Sequence, residues 1–195
     1  MSARPDPKPS AANPTAPGVP AIVSSRFGVE GAHTLDGYRS SGSYPGYESL
    51  RAALEMSPAE VGATVKDATV LGRGGAGFPA GVKWGFCPEG VWPRYLVING
   101  DESEPGTYKD RLLMERDPHQ LIEGCLIAAY AIGVAQVFLY VRGEMAHAQE
   151  RIAAALNEAY EAGLVGRNIL GTDFSVDIVL HWGAGAYIVG EETAL

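Results

Sequence analysis

The chemistry in this sequence concentrates in three glycine-punctuated stretches. The first is Gly72-Arg73-Gly74-Gly75-Ala76-Gly77-Phe78-Pro79-Ala80-Gly81-Val82-Lys83-Trp84, in which four of the first six residues are glycine. Glycines let a backbone take positive φ and approach a ligand closely, and successive bare N–H groups form a concavity suited to anions. Arg73 and Lys83 add positive charge, and Phe78, Trp84 and Phe86 add flat surfaces. A phosphate cradle beside planar side chains is the signature of a nucleotide or flavin site.

The second stretch, Asn99-Gly100-Asp101-Glu102-Ser103-Glu104-Pro105-Gly106, packs three carboxylates into four residues. It follows the apolar run Tyr95-Leu96-Val97-Ile98, read as a buried strand, and carries side chains that the fold itself has no evident use for. The carboxyl end of a strand in an open α/β sheet is where ligands bind. A solvated acidic turn is the alternative. The third stretch, Gly183 to Leu195, again follows a strand and again combines glycines, an aromatic (Tyr187) and paired acids (Glu191, Glu192).

Gly72, Gly74 and Gly77 also spell G-x-G-x-x-G, the dinucleotide fingerprint, which requires a preceding strand, a long following helix and an acid about 20 residues on. Asp101 meets the acid spacing loosely. The helix does not fit, because Pro79, Gly81, Gly85 and Pro88 leave room for a turn or two.

These stretches need a scaffold, and the rest of the chain supplies one. The 195 residues, 46% hydrophobic and 19% charged, suffice for one domain with a real core. A net charge of −8 argues against nucleic acid as a partner. No apolar run reaches membrane-spanning length. Cys87 and Cys125 cannot supply the four ligands of a structural zinc or an iron–sulfur cluster, so no metal is expected; two buried free thiols is the favoured reading, with a disulfide left open.

Residues 1–22 are rich in Pro, Ala and Ser and read as a disordered tail, without the apolar core of a signal peptide. Residues 23–67 read as an N-terminal arm and short helices: Val23 to Tyr47 as extended loop, Ser49 to Leu54 as a short helix, and a second helix opened by the capping box Ser57-Pro58-Ala59-Glu60 and running to about Asp67. Residues 68–195 form the binding domain. Within it, helical periodicity from Pro118 to Ile132 ends at Gly133, Val137 to Val141 is a strand, Met145 to Ala162 a helix ended by Gly163, and Phe174 to Leu180 a third strand. Strand, helix, strand, helix, strand indicates an α/β fold with a Rossmann-like open sheet, crossover helices and glycine-rich loops at the strand ends. His119, His147 and His181 lack metal-ligand spacing and are expected to be structural or exposed.

The runs GRGGAGFPAGVKWGF, YLVINGDESEPGTYKDRLLMERDPHQLIEG and GAYIVGEETAL together resemble the NADH-binding, FMN-containing subunit of respiratory complex I, the NADH-quinone oxidoreductase, and related diaphorase subunits of NAD-linked hydrogenases and formate dehydrogenases. Arg26-Phe27-Gly28 and His33-Thr34-Leu35-Asp36-Gly37-Tyr38 resemble the family's N-terminal arm. The resemblance implies that Gly72, Arg73, Gly74 and Gly75 wrap FMN under NADH, that Lys83 approaches the flavin, and that Phe78 and Phe86 form an aromatic cleft for NADH. It brings Asn99, Asp101, Glu102 and Glu104 around FMN and the dinucleotide, and Tyr187, Gly190, Glu191 and Glu192 to the shared pocket, with Lys83 and Glu104 as the catalytic residues. Val189 stands where the family commonly has Cys.

The implied activity is hydride transfer from NADH to FMN, then onward to iron–sulfur clusters and quinone in a respiratory complex. The implied partners are other peripheral-arm subunits, above all the thioredoxin-like [2Fe-2S] subunit. The implied location is cytoplasmic, peripheral to the inner membrane face, with membrane contact only through the complex. The chain stops within the first turn of an expected helix, so it reads as an N-terminal fragment whose family also carries a ubiquitin-like domain and a [4Fe-4S] domain. A Rossmann dehydrogenase using Gly72 to Gly77 for NAD, and a non-catalytic scaffold, are the rival readings.

Overall fold

The computed structural model describes residues 20–195; the tail expected over 1–22 lies outside them up to residue 19. Among the described residues a three-stranded parallel sheet, β1 (Tyr95–Gly100), β2 (Gln136–Val141) and β3 (Asp177–Trp182), runs in the order β1-β2-β3. Tyr95, Gln136 and Asp177 begin the aligned register.

Four short helices precede the sheet: α1 (Leu35–Ser40), α2 (Glu48–Leu54), α3 (Pro58–Asp67) and α4 (Ala80–Trp84). Then α5 (Lys109–Arg116) and α6 (Pro118–Ile132) join β1 to β2, and α7 (Ala146–Glu161) joins β2 to β3. The expected α/β fold with an open sheet and crossover helices is therefore present.

Local signals account for most boundaries. At α3, the Ser57 hydroxyl accepts from Glu60 N while the Glu60 carboxylate accepts from Ser57 N, both ends of the capping box. Gly133 ends α6 in the left-handed conformation, φ 71°. The helix α7 turns Ala148, Ile152, Ala155, Leu156 and Ala159 inward, and each large apolar side chain so buried contributes about 1.5–3 kcal/mol. Together with Ile122, Leu126, Val137, Leu139 and Ile178 they form the core.

Four expectations need correction. Val23 to Tyr47 is not simply extended: it contains α1, capped by Thr34, whose hydroxyl accepts from Gly37 N at 3.1 Å. The third strand starts at Asp177 rather than Phe174, because Val176 is bridged antiparallel to Gly166 and Phe174 packs edge-on against Tyr130, 5.3 Å between centroids. Nor is β1 buried on both faces. Two successive crossovers of the same hand, stepping one way across the sheet, bring α6 and α7 to one face, which leaves Tyr95 59% and Val97 49% exposed on the other. The cysteines differ from expectation as well: both are free, Cys125 buried but Cys87 exposed.

The arm is fastened to α6 by buried polar groups. Arg26, wholly buried, lies over the Tyr38 and Tyr44 rings, donates to Ser41 O at 2.9 Å and to Tyr44 O, and meets Asp117 at 3.5 Å. Burial pushes the Asp117 carboxyl above the usual carboxylate range, although Gln120 and Arg26 pull it down. Glu123 accepts from the Tyr38 hydroxyl, from Tyr47 N at 3.1 Å and from Leu50 N at 2.9 Å, thereby capping α2. His119 is held between the Tyr47 hydroxyl (2.9 Å) and Glu158 (3.0 Å), the structural role expected of it.

Candidate functional site

The strands deliver two of the three stretches to one place. β1 empties into the acidic loop and β3 into the loop at 183–190, and these loops are bonded to each other. Asn99 Nδ2 donates to Gly190 O at 2.6 Å, and Gly190 N donates to Asp101 Oδ2 at 2.9 Å. The Tyr187 hydroxyl donates to Glu104 Oε1 at 2.9 Å, and this bond raises the tyrosine pKa. Position 190 has to be glycine for this join, since a Cβ there would lie 2.9 Å from Asn99 Oδ1 and 3.0 Å from Asp101 Cβ.

The first glycine stretch arrives from elsewhere in the fold. It does not extend from a strand of the sheet, which corrects the expectation that all the glycine loops sit at strand ends. Its base is a two-residue antiparallel closure: Gly72 N donates to Phe78 O at 2.9 Å and Ala80 N to Val70 O at 2.8 Å. Of its four clustered glycines only Gly77 takes positive φ, 74°. Gly74 and Gly75 have nothing within 4 Å of where a Cβ would stand.

The three loops meet around a cavity of about 630 Å³, within the size range of ligand pockets. Of the residues singled out in the sequence, Arg73, Gly74, Asn99, Asp101, Glu102, Glu104, Gly190 and Glu191 line it. Gly72, Gly75, Phe78, Lys83, Phe86, Tyr187 and Glu192 do not. Phe78 and Phe86 form a separate exposed ring pair, centroids 5.8 Å apart and tilted by 47°. Lys83 lies on the five-residue α4, the turn or two that the prolines and glycines allow. Sequence reasoning missed Ser103, Thr107, Lys109, Asp110 and Ile188 on the wall; the signal for the first four was their place in or just after the acidic loop.

The acidic loop also serves the fold, contrary to expectation. Both carboxylate oxygens of Glu102, only 6% exposed, accept from the opening N–H groups of α5, Asp110 at 3.0 Å and Arg111 at 3.1 Å. An anion there complements the helix dipole. Ser103 and Gly190 share Asp101 Oδ2, at 2.6 and 2.9 Å.

Two features fit a flavin phosphate and its polar chain. The space beside Gly74 and Gly75 is what a Cβ would fill, so the chain's own packing does not call for glycine there. Asp101 Oδ1, on the cavity wall, is buried without a hydrogen-bond partner among the described residues. A buried acceptor of that kind costs free energy until a donor reaches it, and ligand hydroxyl or N–H groups are such donors.

Comparison with known proteins agrees. A family model described as the Nuo51 FMN-binding domain matches residues 65–195. An NADH-quinone oxidoreductase subunit of Rhizobium meliloti (strain 1021) is 51% identical over 176 residues, 89% of this chain and 41% of that protein. The corresponding NADH-quinone oxidoreductase subunits of Aquifex aeolicus (strain VF5) and Escherichia coli (strain K12) are 50% and 52% identical, with 38% and 36% of their lengths covered. Thus the chain spans well under half of these relatives. Among solved structures, an NAD+-reducing [NiFe]-hydrogenase in the H2-reduced state superposes with a TM-score of 0.64 at 36% identity, covering 82% of this chain and 27% of that one. By the family model and these likenesses together, the chain belongs to the Nuo51 FMN-binding domain family.

Proposed function

We propose that this chain forms the FMN- and NADH-binding part of an NADH-quinone oxidoreductase subunit, with residues 68–195 as the binding domain and 23–67 as an arm that braces it. The observation that carries this reading is the convergence of Arg73 and Gly74 with the bonded loops of Asp101, Glu104, Gly190 and Glu191 on one cavity. FMN bound there would supply the chemistry that links a two-electron hydride donor to one-electron acceptors.

The chain's residues bind and orient. Gly72, Arg73, Gly74 and Gly75 cradle phosphate, and Asn99, Asp101 and Glu102 shape the flavin side. Tyr187, Glu104, Gly190, Glu191 and Glu192 face the dinucleotide, and Phe78 and Phe86 clasp its rings. Lys83, cationic and exposed on α4, offsets negative charge on the flavin, and no general base is required.

The partners are the other subunits of a multi-subunit NADH-oxidising complex, with the thioredoxin-like [2Fe-2S] subunit adjacent. No helix among the described residues is long and apolar enough to cross a membrane, which suits a subunit peripheral to the cytoplasmic face of the inner membrane. The likeness to an NAD+-reducing hydrogenase keeps a diaphorase role as the second reading.

The test uses the full-length protein. It should retain FMN and bleach its visible flavin absorbance on anaerobic addition of NADH. Lys83→Ala should lower FMN retention or slow the bleaching by about tenfold or more, the worth of one charge-assisted hydrogen bond. A protein without flavin that nevertheless binds NAD would sink the reading in favour of a Rossmann dehydrogenase.

A further inference from the structure

Carboxylates outnumber cations on the cavity wall. It carries five carboxylates (Asp101, Glu102, Glu104, Asp110, Glu191) against two cations, Arg73 and Lys109, and Lys109 is already spent on Asp110 and, at 3.9 Å, Glu102. A third cation stands just behind the wall. Arg142 follows β2, where its N–H donates to Gly100 O at 3.2 Å, and its Nη1 donates to the Glu102 carbonyl at 2.8 Å. The other edge of the guanidinium grips Glu144 with two parallel bonds, Nε to Oε2 and Nη2 to Oε1, each 3.0 Å. Glu144 in turn lies beside the third loop, its carboxylate 3.9 Å from where a Gly185 Cβ would stand, and a Cβ on Gly143 would collide with Gly183 O. The segment 142–144 is thus wedged between the acidic loop and the loop that follows β3.

We propose that Arg142 is a positioning residue of this site: it sets the height of the acidic loop through the Glu102 carbonyl, and its grip on Glu144 holds the segment whose Gly143 packs directly against Gly183, at the base of the loop bearing Tyr187 and Gly190. Glu102 is consequently pinned twice, by its carbonyl to Arg142 and by its carboxylate to the first turn of α5. Only with Glu102 fixed do its neighbours Asp101 and Glu104 stand where Gly190 N and the Tyr187 hydroxyl meet them. Of the three direct loop-to-loop bonds, those of Asn99 and Tyr187 are exposed and each is individually modest, so they follow the register rather than set it. A guanidinium suits the task because its planar fork presents donors in fixed directions to a carbonyl and a carboxylate at once, which an ammonium cannot.

This assignment builds on the FMN and NADH reading, and its test can fail separately from it. In the full-length protein, amide hydrogen exchange would be followed in wild type, Arg142→Ala, Arg142→Lys and Glu144→Gln, beside FMN affinity and melting temperature. Both Arg142 variants should exchange faster over 101–106 and 187–191 alone and bind FMN about tenfold or more weakly, at an unchanged melting temperature. Glu144→Gln should show a smaller effect in the same segments. If Arg142→Ala does not fold, the lysine and glutamine variants carry the comparison. Wild-type exchange in those segments, or full rescue by lysine, overturns the proposal, as does faster exchange spread over the whole sheet. A wild-type protein that binds no FMN refutes the function, while the exchange pattern still decides the role of Arg142.

Discussion

Tyr187 and Glu104, 83 positions apart, are joined by a hydroxyl-to-carboxylate hydrogen bond of 2.9 Å that spans the mouths of two loops. A phenol held this way keeps its proton, and the carboxylate keeps a fixed rotamer. Tyr187→Phe removes the donor without changing the ring. In the full-length protein it should leave FMN content unchanged and raise KM for NADH severalfold, with a smaller effect on kcat, because the proposed reading gives the pair to the dinucleotide. Steady-state ferricyanide reduction reads this directly; an unaltered KM would remove Tyr187 from the NADH site.

Glu123 is a single buried carboxylate, 3% exposed, serving three donors from the arm: the Tyr38 hydroxyl, Tyr47 N and Leu50 N. Glu123→Leu fills the space but orphans them, and each buried donor left unpaired costs about 1–3 kcal/mol. With three donors affected, the expected loss is about 3 kcal/mol or more. Urea unfolding by far-ultraviolet circular dichroism would measure it, with the exposed Glu150→Gln as a control expected to stay within about 0.5 kcal/mol. Equal midpoints for the two variants would show that the arm is not fastened through Glu123.

His119 gives stability a pH dependence with a definite sign. Burial lowers its pKa from the ordinary 6.5, and the bond to Glu158 only partly restores it. A carboxylate can only accept, so Nε2 carries the proton toward Glu158 and Nδ1 accepts from Tyr47. With the folded pKa below the unfolded one, the unfolded chain takes up the proton first as pH falls. The neutral histidine's contribution is therefore complete above the unfolded value and is lost progressively as pH falls from 6.5 toward the depressed folded value. Melting temperature should decline over that window, and His119→Gln should flatten the decline. An equally steep decline in the variant would assign it to other groups.

What could be read from the sequence was whatever local chemistry dictates. The capping box at Ser57, the glycine stop at Gly133 and the period of α6 and α7 involve neighbours within a turn or two, and all three are found in the structure. The acidic stretch and the stretch after β3 could be recognised because glycines, acids and an aromatic after a strand are rarely needed for packing. What escaped depends on partners far away in sequence. The start of α1 is completed by Glu158, which accepts from Leu35 N at 2.6 Å across 123 positions. Glu102 looked free because its task, capping α5, shows only once the chain has turned back. The open face of β1 follows from topology, which no window of apolar residues encodes.

The choice between NADH and NADPH rests on one phosphate, which a carboxylate at the adenosine ribose repels while it accepts the free hydroxyl. On the proposed reading, two neighbouring acids are candidates for the role. Glu191 lines the cavity, but its carboxylate is already engaged by Thr193, through the backbone N–H at 3.1 Å and the hydroxyl, which holds it below the usual carboxylate range. Glu192 is exposed, and among the described residues no hydrogen bond or ion pair occupies it, so it is available to a ligand that arrives from solvent. Glu192→Gln in the full-length protein keeps the side chain's shape and a hydrogen-bonding oxygen while removing the charge. It should shift the ratio of kcat/KM for NADH over NADPH toward NADPH by about tenfold or more. Because the repulsion acts near solvent, the wild-type preference should also shrink as salt is raised, and the variant's should not. Ferricyanide reduction with both donors at low and high ionic strength tests the two statements together. A ratio unchanged by Glu192→Gln but moved by Glu191→Gln would transfer the role to the residue on the cavity wall.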